Sequence, residues 1–224
     1  MSTRLVVVCN PNNPTGVYRS ADAVERFVAG LPDDLAILID EAYFDFVDMA
    51  DAGRVMSLAR SRANLLVTRT FSKAYGLCAL RVGYGVGSAG WVEAIEKVRQ
   101  PFNINALAQA AALESLRHPS PLAKRVAETV SERARIQAAL DEVGVSYLPS
   151  RTNFVLIDVR PVDGRALHED LLRRGVIVRD GTSLGVPGRL RITIGAPAEN
   201  DAFLAALAAA RAGSTTVSVE GVST

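Results

Sequence analysis

Short continuous apolar runs, each closed by a polar cluster, alternate along this chain with stretches in which apolar residues recur every three or four positions. The first kind predicts buried strands and the second amphipathic helices. Residues 4–9 read as a strand, as do 35–39 and 64–68, and their unbroken apolar character suits parallel strands covered on both faces. Residues 81–86, dotted with Gly83 and Gly85, are a fourth strand candidate. Ser20 is placed to cap a helix over 21–29, which Gly30 and Pro32 stop, and 91–98 is helical in pattern. Residues 4–100 together look like part of an α/β sheet. After Pro101 the texture loosens: alanine-rich helices over 106–116 and 121–143, a strand over 153–159, a helix over 164–174, a short strand over 176–178, a strand over 189–194 and a last helix over 197–210. This mixture predicts a smaller α+β domain. The end of the chain, 212–224, is rich in Ser, Thr, Val and Gly, has no helical period, and is expected to be disordered.

Composition narrows the function classes. A formal net charge of +1 over 224 residues gives no electrostatic case for nucleic acid or an anionic membrane. No stretch is long and apolar enough to span a bilayer, and the start lacks the pattern of a signal peptide. The two cysteines, Cys9 and Cys78, form neither a disulfide framework nor a zinc spacing, and the two histidines, His118 and His168, fall in separate helical patterns. No metal site is expected, and the chain reads as cytoplasmic, with small molecules as its partners.

The chemistry lies where strands end. In a parallel α/β sheet, ligands sit beyond the carboxyl ends of the strands, and three polar clusters fall there. CNPNNPTG, 9–16, follows the first strand. Its residues favour a rigid turn, and they also present a fixed amide into a cleft. IDEAY, 39–43, ends the second strand with Asp40 and Glu41; it reads either as a solvated acidic pair or as a partly buried Asp40 facing a cationic ligand atom, with the Tyr43 hydroxyl nearby. RTFSKAYGLCALRVGYG, 69–85, brackets Lys73 with Thr70 and Ser72 and adds Arg81. It reads as a basic surface loop or as a phosphate cradle holding a Schiff-base lysine. Taken jointly, an amide, a carboxylate with a tyrosine, and a lysine inside a phosphate cradle match the needs of one cofactor, pyridoxal phosphate.

At this point the chain resembles the class II aminotransferases of the type I pyridoxal-phosphate fold, nearest the histidinol-phosphate aminotransferase family. The resemblance rests on CNPNNPTG, on DEAY (40–43), on RTFSKAYGL (69–77), on LRVGY (80–84), on VRQPFNINALAQAAAL (98–113) and on RLRITIGAPAEND (189–201). It implies a partial three-layer, mostly parallel sheet of a large cofactor domain over 1–100. A smaller α+β domain with connecting helices then covers 101–212, followed by the tail 213–224. It implies that Asn13 and Tyr43 bond the cofactor's ring oxygen, that Asp40 partners the pyridinium nitrogen and that Lys73 forms the Schiff base and moves protons. Thr70, Ser72 and Arg81 would hold the phosphate. Arg191 would grip the substrate carboxylate, with Arg179 and Asn153 nearby. The family commonly reads GLAGLR where this chain has Cys78 and Ala79. Relatives also carry a long N-terminal segment that supplies much of the sheet, a glycine-containing phosphate loop and an aromatic residue stacked on the ring; that segment is expected to be missing here. The implied reaction is transamination between L-glutamate and imidazole-acetol phosphate, by a homodimer. Two activities on the same scaffold stay open, an aromatic amino-acid aminotransferase and a phosphothreonine-type decarboxylase; Arg179 and Arg189 favour a phosphate-ended substrate. A non-catalytic remnant is the reading from another class.

Overall fold

In the computed structural model, which describes residues 3–47 and 53–216 (the last four by backbone only), the first three apolar runs become neighbouring parallel strands. They are β1 (Leu5–Cys9), β2 (Ala36–Asp40) and β3 (Leu65–Thr70), in that order across the sheet. Helix α1 (Ala21–Ala29) begins at Ser20, whose hydroxyl accepts the Ala23 N–H, and stops at Gly30 as the sequence predicts. The pattern gave no warning of α2 (Arg54–Ser61), which starts from a left-handed Gly53 with no side-chain cap. Together α1 and α2 cover one face of the sheet, burying Val24, Val28, Val55 and Ala59 against Ile37, Ile39, Leu65 and Val67. Full burial of each such aliphatic side chain contributes roughly 1.5–3 kcal/mol.

The fourth strand, β4 (Gly83–Gly87), starts two residues later than its pattern suggests and runs antiparallel to β3. Its glycines sit where β3 needs close approach: a Cβ on Gly83 would lie 2.7 Å from the Arg69 carbonyl oxygen. Helices α3 (Ala89–Val98), α4 (Ala106–Arg117) and α5 (Pro119–Glu142) follow, and the Asn105 side chain caps α4 by accepting the Ala108 N–H.

The chain forms two units. The first holds residues up to Asn13 and from Val17 to Ala127; the second holds Pro14–Gly16 and everything from Glu128 onward. In the second, a three-stranded antiparallel sheet is built from β5 (Phe154–Asp158), β6 (Arg179–Asp180) and β7 (Arg189–Thr193), with β7 in the centre. Val155, Ile157, Leu190 and Ile192 face Ile136 and Leu140 of α5, Leu167 and Leu171 of α6 (Gly164–Arg173) and Phe203 and Leu207 of α7 (Pro197–Thr216). The strand expected over 176–178 is displaced to Arg179–Asp180, because pairing with β7 and not apolar content fixes this edge strand. Helix α7 continues to Thr216, so the expectation of an unstructured end is corrected over 212–216; residues 217–224 lie outside the described residues. An alanine-rich helix already formed adds one hydrogen bond per residue and carries weak formers such as Gly213 along.

Pro14–Gly16 is held within the second unit by Arg151, whose N–H donates to the Gly16 carbonyl at 2.8 Å. Gly16 has φ +75°, and a Cβ there would meet Ser150 Oγ at less than van der Waals distance. The Ser150–Phe154 stretch is itself knotted: the hydroxyls of Ser150 and Thr152, both buried, lie 2.9 Å apart and both bond the Phe154 carbonyl. Arg133, also buried, donates to the Thr152 carbonyl at 2.8 Å.

Candidate active site

Parallel pairing of β1, β2 and β3 sets the three polar clusters side by side at one edge of the first unit's sheet, since Cys9 pairs with Asp40 and Asp40 with Thr68. After β1, the two asparagines behave differently. Asn10 is buried and spent on the backbone: its amide donates to the Arg19 carbonyl and accepts the Arg19 N–H, both at 2.8 Å. That clamp shapes the turn and leaves Asn13 exposed at its tip. Burial pushes the Cys9 thiol up, eased by the Asn13 backbone N–H and reinforced by the Asp40 charge, so the thiol stays protonated beside the carboxylate.

After β2, Asp40 is half-buried, and its Oδ1 accepts the Ala42 N–H at 3.0 Å, which turns the chain toward Tyr43. Tyr43 is buried, and the Lys73 Nζ lies 5.2 Å from its ring centroid. Lys73 is exposed, and among the described residues no carboxylate pairs with it. The loop from Thr70 to Arg81 is pinned at several points. Thr70 Oγ1 accepts the Ser72 N–H at 3.0 Å, the Leu77 N–H donates to the Phe71 carbonyl at 2.9 Å, and Arg125 of α5 donates to the Ala74 carbonyl at 2.9 Å. Arg81 has φ +55°, a left-handed backbone that a non-glycine residue holds only against strain, and its guanidinium donates to the Cys78 carbonyl. Such strain gathers at ligand clamps. The left-handed positions of this loop are Gly76 and Arg81, so Ala79 needs no conformation that its methyl group opposes.

The acidic pair proves to be neither wholly solvated nor alike. Alternation along β2 sends Asp40 to one face of the sheet and Glu41 to the other. Glu41 is buried, and Arg69 holds its Oε2 with Nη2 at 2.7 Å and Nε at 2.8 Å. Burial pushes the Glu41 carboxyl up against the pull of Arg69. Asp45 nearby is also pushed up by burial. The sequence reading assigned no role to Arg69. The signal was present, because parallel pairing of Asp40 with Thr68 carries Glu41 opposite Arg69 one position on.

The remaining candidates gather in the second unit. Arg179 of β6 and Arg191 of β7 are directly paired, on the sheet face away from the helix-packed core. The Arg191 guanidinium lies 4.9 Å from the Phe154 ring centroid. Asn153 leads into β5, and its carbonyl accepts the Ile194 N–H at 2.8 Å. Arg189 instead approaches Asp158, whose carboxyl Arg160 holds down at about 2. His118 pairs with Glu114 on the exposed side of α4, and no group of three metal-ligating side chains occurs among the described residues.

The amine, carboxylate, hydroxyls and guanidinium of the first unit fit a phosphorylated pyridine aldehyde by the chemistry of the donor set. Arg81 keeps its left-handed backbone at the end of this loop, and the Ser72 hydroxyl has no protein partner among the described residues.

Comparison with known proteins agrees with this architecture. The chain is 44% identical over 206 residues to histidinol-phosphate aminotransferase of Bacillus licheniformis, covering 92% of this chain and 57% of that one. The solved structure of histidinol-phosphate aminotransferase from Sinorhizobium meliloti in complex with pyridoxal-5'-phosphate superposes with TM-score 0.84 at 31% identity, covering 94% of this chain and 58% of the other. L-threonine-O-3-phosphate decarboxylase from Porphyromonas gingivalis matches with TM-score 0.78 and 29% identity, covering 92% and 63%. The chain thus spans little more than half the length of the curated relatives it matches. Residues 1–207 match the family model for aminotransferase class I and II, and the chain belongs to that family.

Proposed function

We propose that this chain carries the cofactor and substrate residues of a pyridoxal-phosphate-dependent transaminase. Its substrates would be L-glutamate and imidazole-acetol phosphate, the exchange that yields histidinol phosphate and 2-oxoglutarate. The observation that carries the reading is the meeting of Lys73 with Tyr43 at the strand ends that also hold Asp40 and Thr70. The cofactor, when bound, supplies an electron sink for the charge left when the substrate Cα–H bond breaks. The residues do the rest. Lys73 is the amine that would hold the cofactor through its aldehyde group, and as a free amine it would be the base and acid that moves the proton at the substrate Cα. Asp40 keeps the ring nitrogen protonated, while Asn13 and Tyr43 donate to the ring oxygen. Thr70, Ser72 and Arg81 hold the phosphate. Arg191 receives the substrate carboxylate, with Arg179 and Asn153 beside it. Pairing of Arg179 with Arg191 supports a doubly anionic substrate, and favours the phosphate-ended one over an aromatic one. The likeness to the Porphyromonas decarboxylase supports a second reading, a decarboxylase of phosphorylated amino acids using the same lysine.

In this reading the protein is a cytoplasmic homodimer acting on small molecules. Its cofactor domain is built on residues 1–100 and its smaller domain on 101–212. No helix among the described residues is long and apolar enough to cross a membrane.

The test is direct. Pyridoxal phosphate added to the purified chain is expected to give visible absorbance, and borohydride reduction with peptide mapping to place the label on Lys73. Lys73→Ala is expected to abolish both. A label on Lys97 or Lys124 would overturn the assignment.

A further inference from the structure

Glu41 and Arg69 lie one residue from Asp40 and Thr70, yet neither points toward the face of the sheet that those two share. Their geometry is unusually closed for an ion pair. The Glu41 side chain is 1% exposed and that of Arg69 20%; Arg69 Nε donates to Glu41 Oε2 at 2.8 Å, and Nη2 lies 2.7 Å from the same oxygen as an ion-pair contact without a hydrogen bond of its own. The guanidinium stacks 4.3 Å from the centroid of the Phe44 ring, next in sequence to Tyr43. On its other flank it meets the hydroxyl of Tyr84, its direct partner on β4. Asp45 adds a second carboxylate within its field.

Stability alone is a poor account of such a pair, since apolar residues of similar volume do as well or better in a buried position. A directional contact does what apolar packing does not: it fixes two chain segments in one register. Glu41 belongs to the segment that carries Asp40 and Tyr43. Arg69 belongs to the segment that carries Thr70, Ser72 and Lys73. Beyond the last ladder bond, from the Glu41 N–H to the Thr68 carbonyl at 2.9 Å, this pair and its stack on Phe44 tie the two segments together on the face opposite Asp40 and Thr70.

We propose that the Glu41–Arg69 pair is the positioning device of the candidate cofactor site, locking Asp40 and Tyr43 against Thr70 and Lys73 from the reverse face of the sheet. It touches neither cofactor nor substrate, and it rests on the cofactor reading of those four residues. Its work is angular. A planar guanidinium bonded through Nε and stacked on Phe44 resists rotation about the contact, as a lysine point charge does not.

A double-mutant cycle separates this from a merely structural role. The four proteins are the unsubstituted chain, Arg69→Lys, Asp40→Asn and the double variant, each titrated with pyridoxal phosphate by absorbance. Arg69→Lys keeps the charge and loses the stacked plane with its directed Nε bond, and is expected to weaken binding about tenfold. If Arg69 acts through Asp40, then Asp40→Asn costs about tenfold in the unsubstituted chain and less than about threefold once Arg69 is Lys. Equal costs in both backgrounds overturn the proposal. So does an Arg69→Lys chain that unfolds at lower temperature but binds the cofactor as before. Should Arg69→Lys lose its near-ultraviolet circular dichroism, Tyr84→Phe takes its place in the cycle, because it frees one flank of Arg69 without altering charge. Borohydride labelling of the unsubstituted chain keeps the two readings apart. Without a Lys73 label the cofactor reading itself falls, and this inference with it; with the label and additive costs, only the inference falls.

Discussion

Arg191 presents a flat guanidinium against the Phe154 ring, 4.9 Å from its centroid, and such a stacked plane meets a carboxylate with two parallel bonds. Lysine has the charge without the plane. Arg191→Lys is therefore expected to raise the apparent KM for glutamate about tenfold or more while leaving the cofactor absorbance unchanged; steady-state kinetics beside a spectrum checks this, and unchanged glutamate kinetics would move the carboxylate site, with Arg179 next in line. A second residue-scale expectation concerns Asp158, which Arg160 holds down at about 2. An acid whose folded value is depressed contributes stability that is present above its unfolded value, near 3.8, and is lost as pH falls through the folded one. In Arg160→Ala the Asp158 midpoint, followed by NMR titration, is expected to rise toward 3.8, and the stability gap between the two proteins to close below pH 2. At this scale the sequence was informative about residues whose chemistry is local. Lys73, Asp40 and Tyr43 become candidates only jointly, as polar residues that follow apolar runs and together suit one ligand. Glu41 and Arg69 do not, because their meaning depends on which strand lies beside which. The division of labour between Asn10 and Asn13 was also hidden, since only the folded turn shows that one amide is consumed by Arg19.

Elements with their own signals were readable. Helix α1 has a capping serine, an apolar stripe and a terminating glycine, and it begins and ends where these place it. Helix α2 has a stripe of Val55, Leu58 and Ala59 over only 8 residues and no side-chain cap, too little to stand out from a loop. The direction of β4 was not legible at all, because a glycine-rich strand carries no alternation to read. The structure gives those glycines a purpose: they let β4 approach β3 where β3 delivers Thr70 to the site. Gly83 is the tightest case, with a would-be Cβ 2.7 Å from the Arg69 carbonyl oxygen, a backbone atom that cannot swing aside. Gly83→Ala is expected to cost about 1–3 kcal/mol of stability in urea denaturation. It is also expected to weaken pyridoxal phosphate binding, whereas Gly144→Ala, where a Cβ meets nothing within 4 Å, is expected to leave binding unchanged.

At the scale of the whole molecule the notable quantity is apolar surface. On α3, α4 and the turn between them, Val98 is 82% exposed, Phe102 96% and Leu107 75%, with Val92, Leu113 and Leu116 exposed beside them in sequence. Surface of this kind drives association. The chain is expected to self-associate in a concentration-dependent way by sedimentation velocity, and Phe102→Glu with Leu107→Glu to shift it toward monomer; a chain that stays monomeric at high concentration would argue against these residues as a contact surface. The change of texture near Pro101 does not coincide with the division into units, which falls after Ala127, and the sequence offered no sign that the second unit would claim three residues from the opening turn. Gly16 lies 112 positions upstream of Glu128, and Pro14–Gly16 is nonetheless part of the unit that begins there. The consequence is genetic. No single cut in the coding sequence yields the second unit whole: a fragment starting at Glu128 leaves Ser150 and Arg151 without Gly16, and one retaining Gly16 brings the first unit with it. Recombination between relatives would preserve that unit only by exchanging the opening turn together with the distant loop that clasps it.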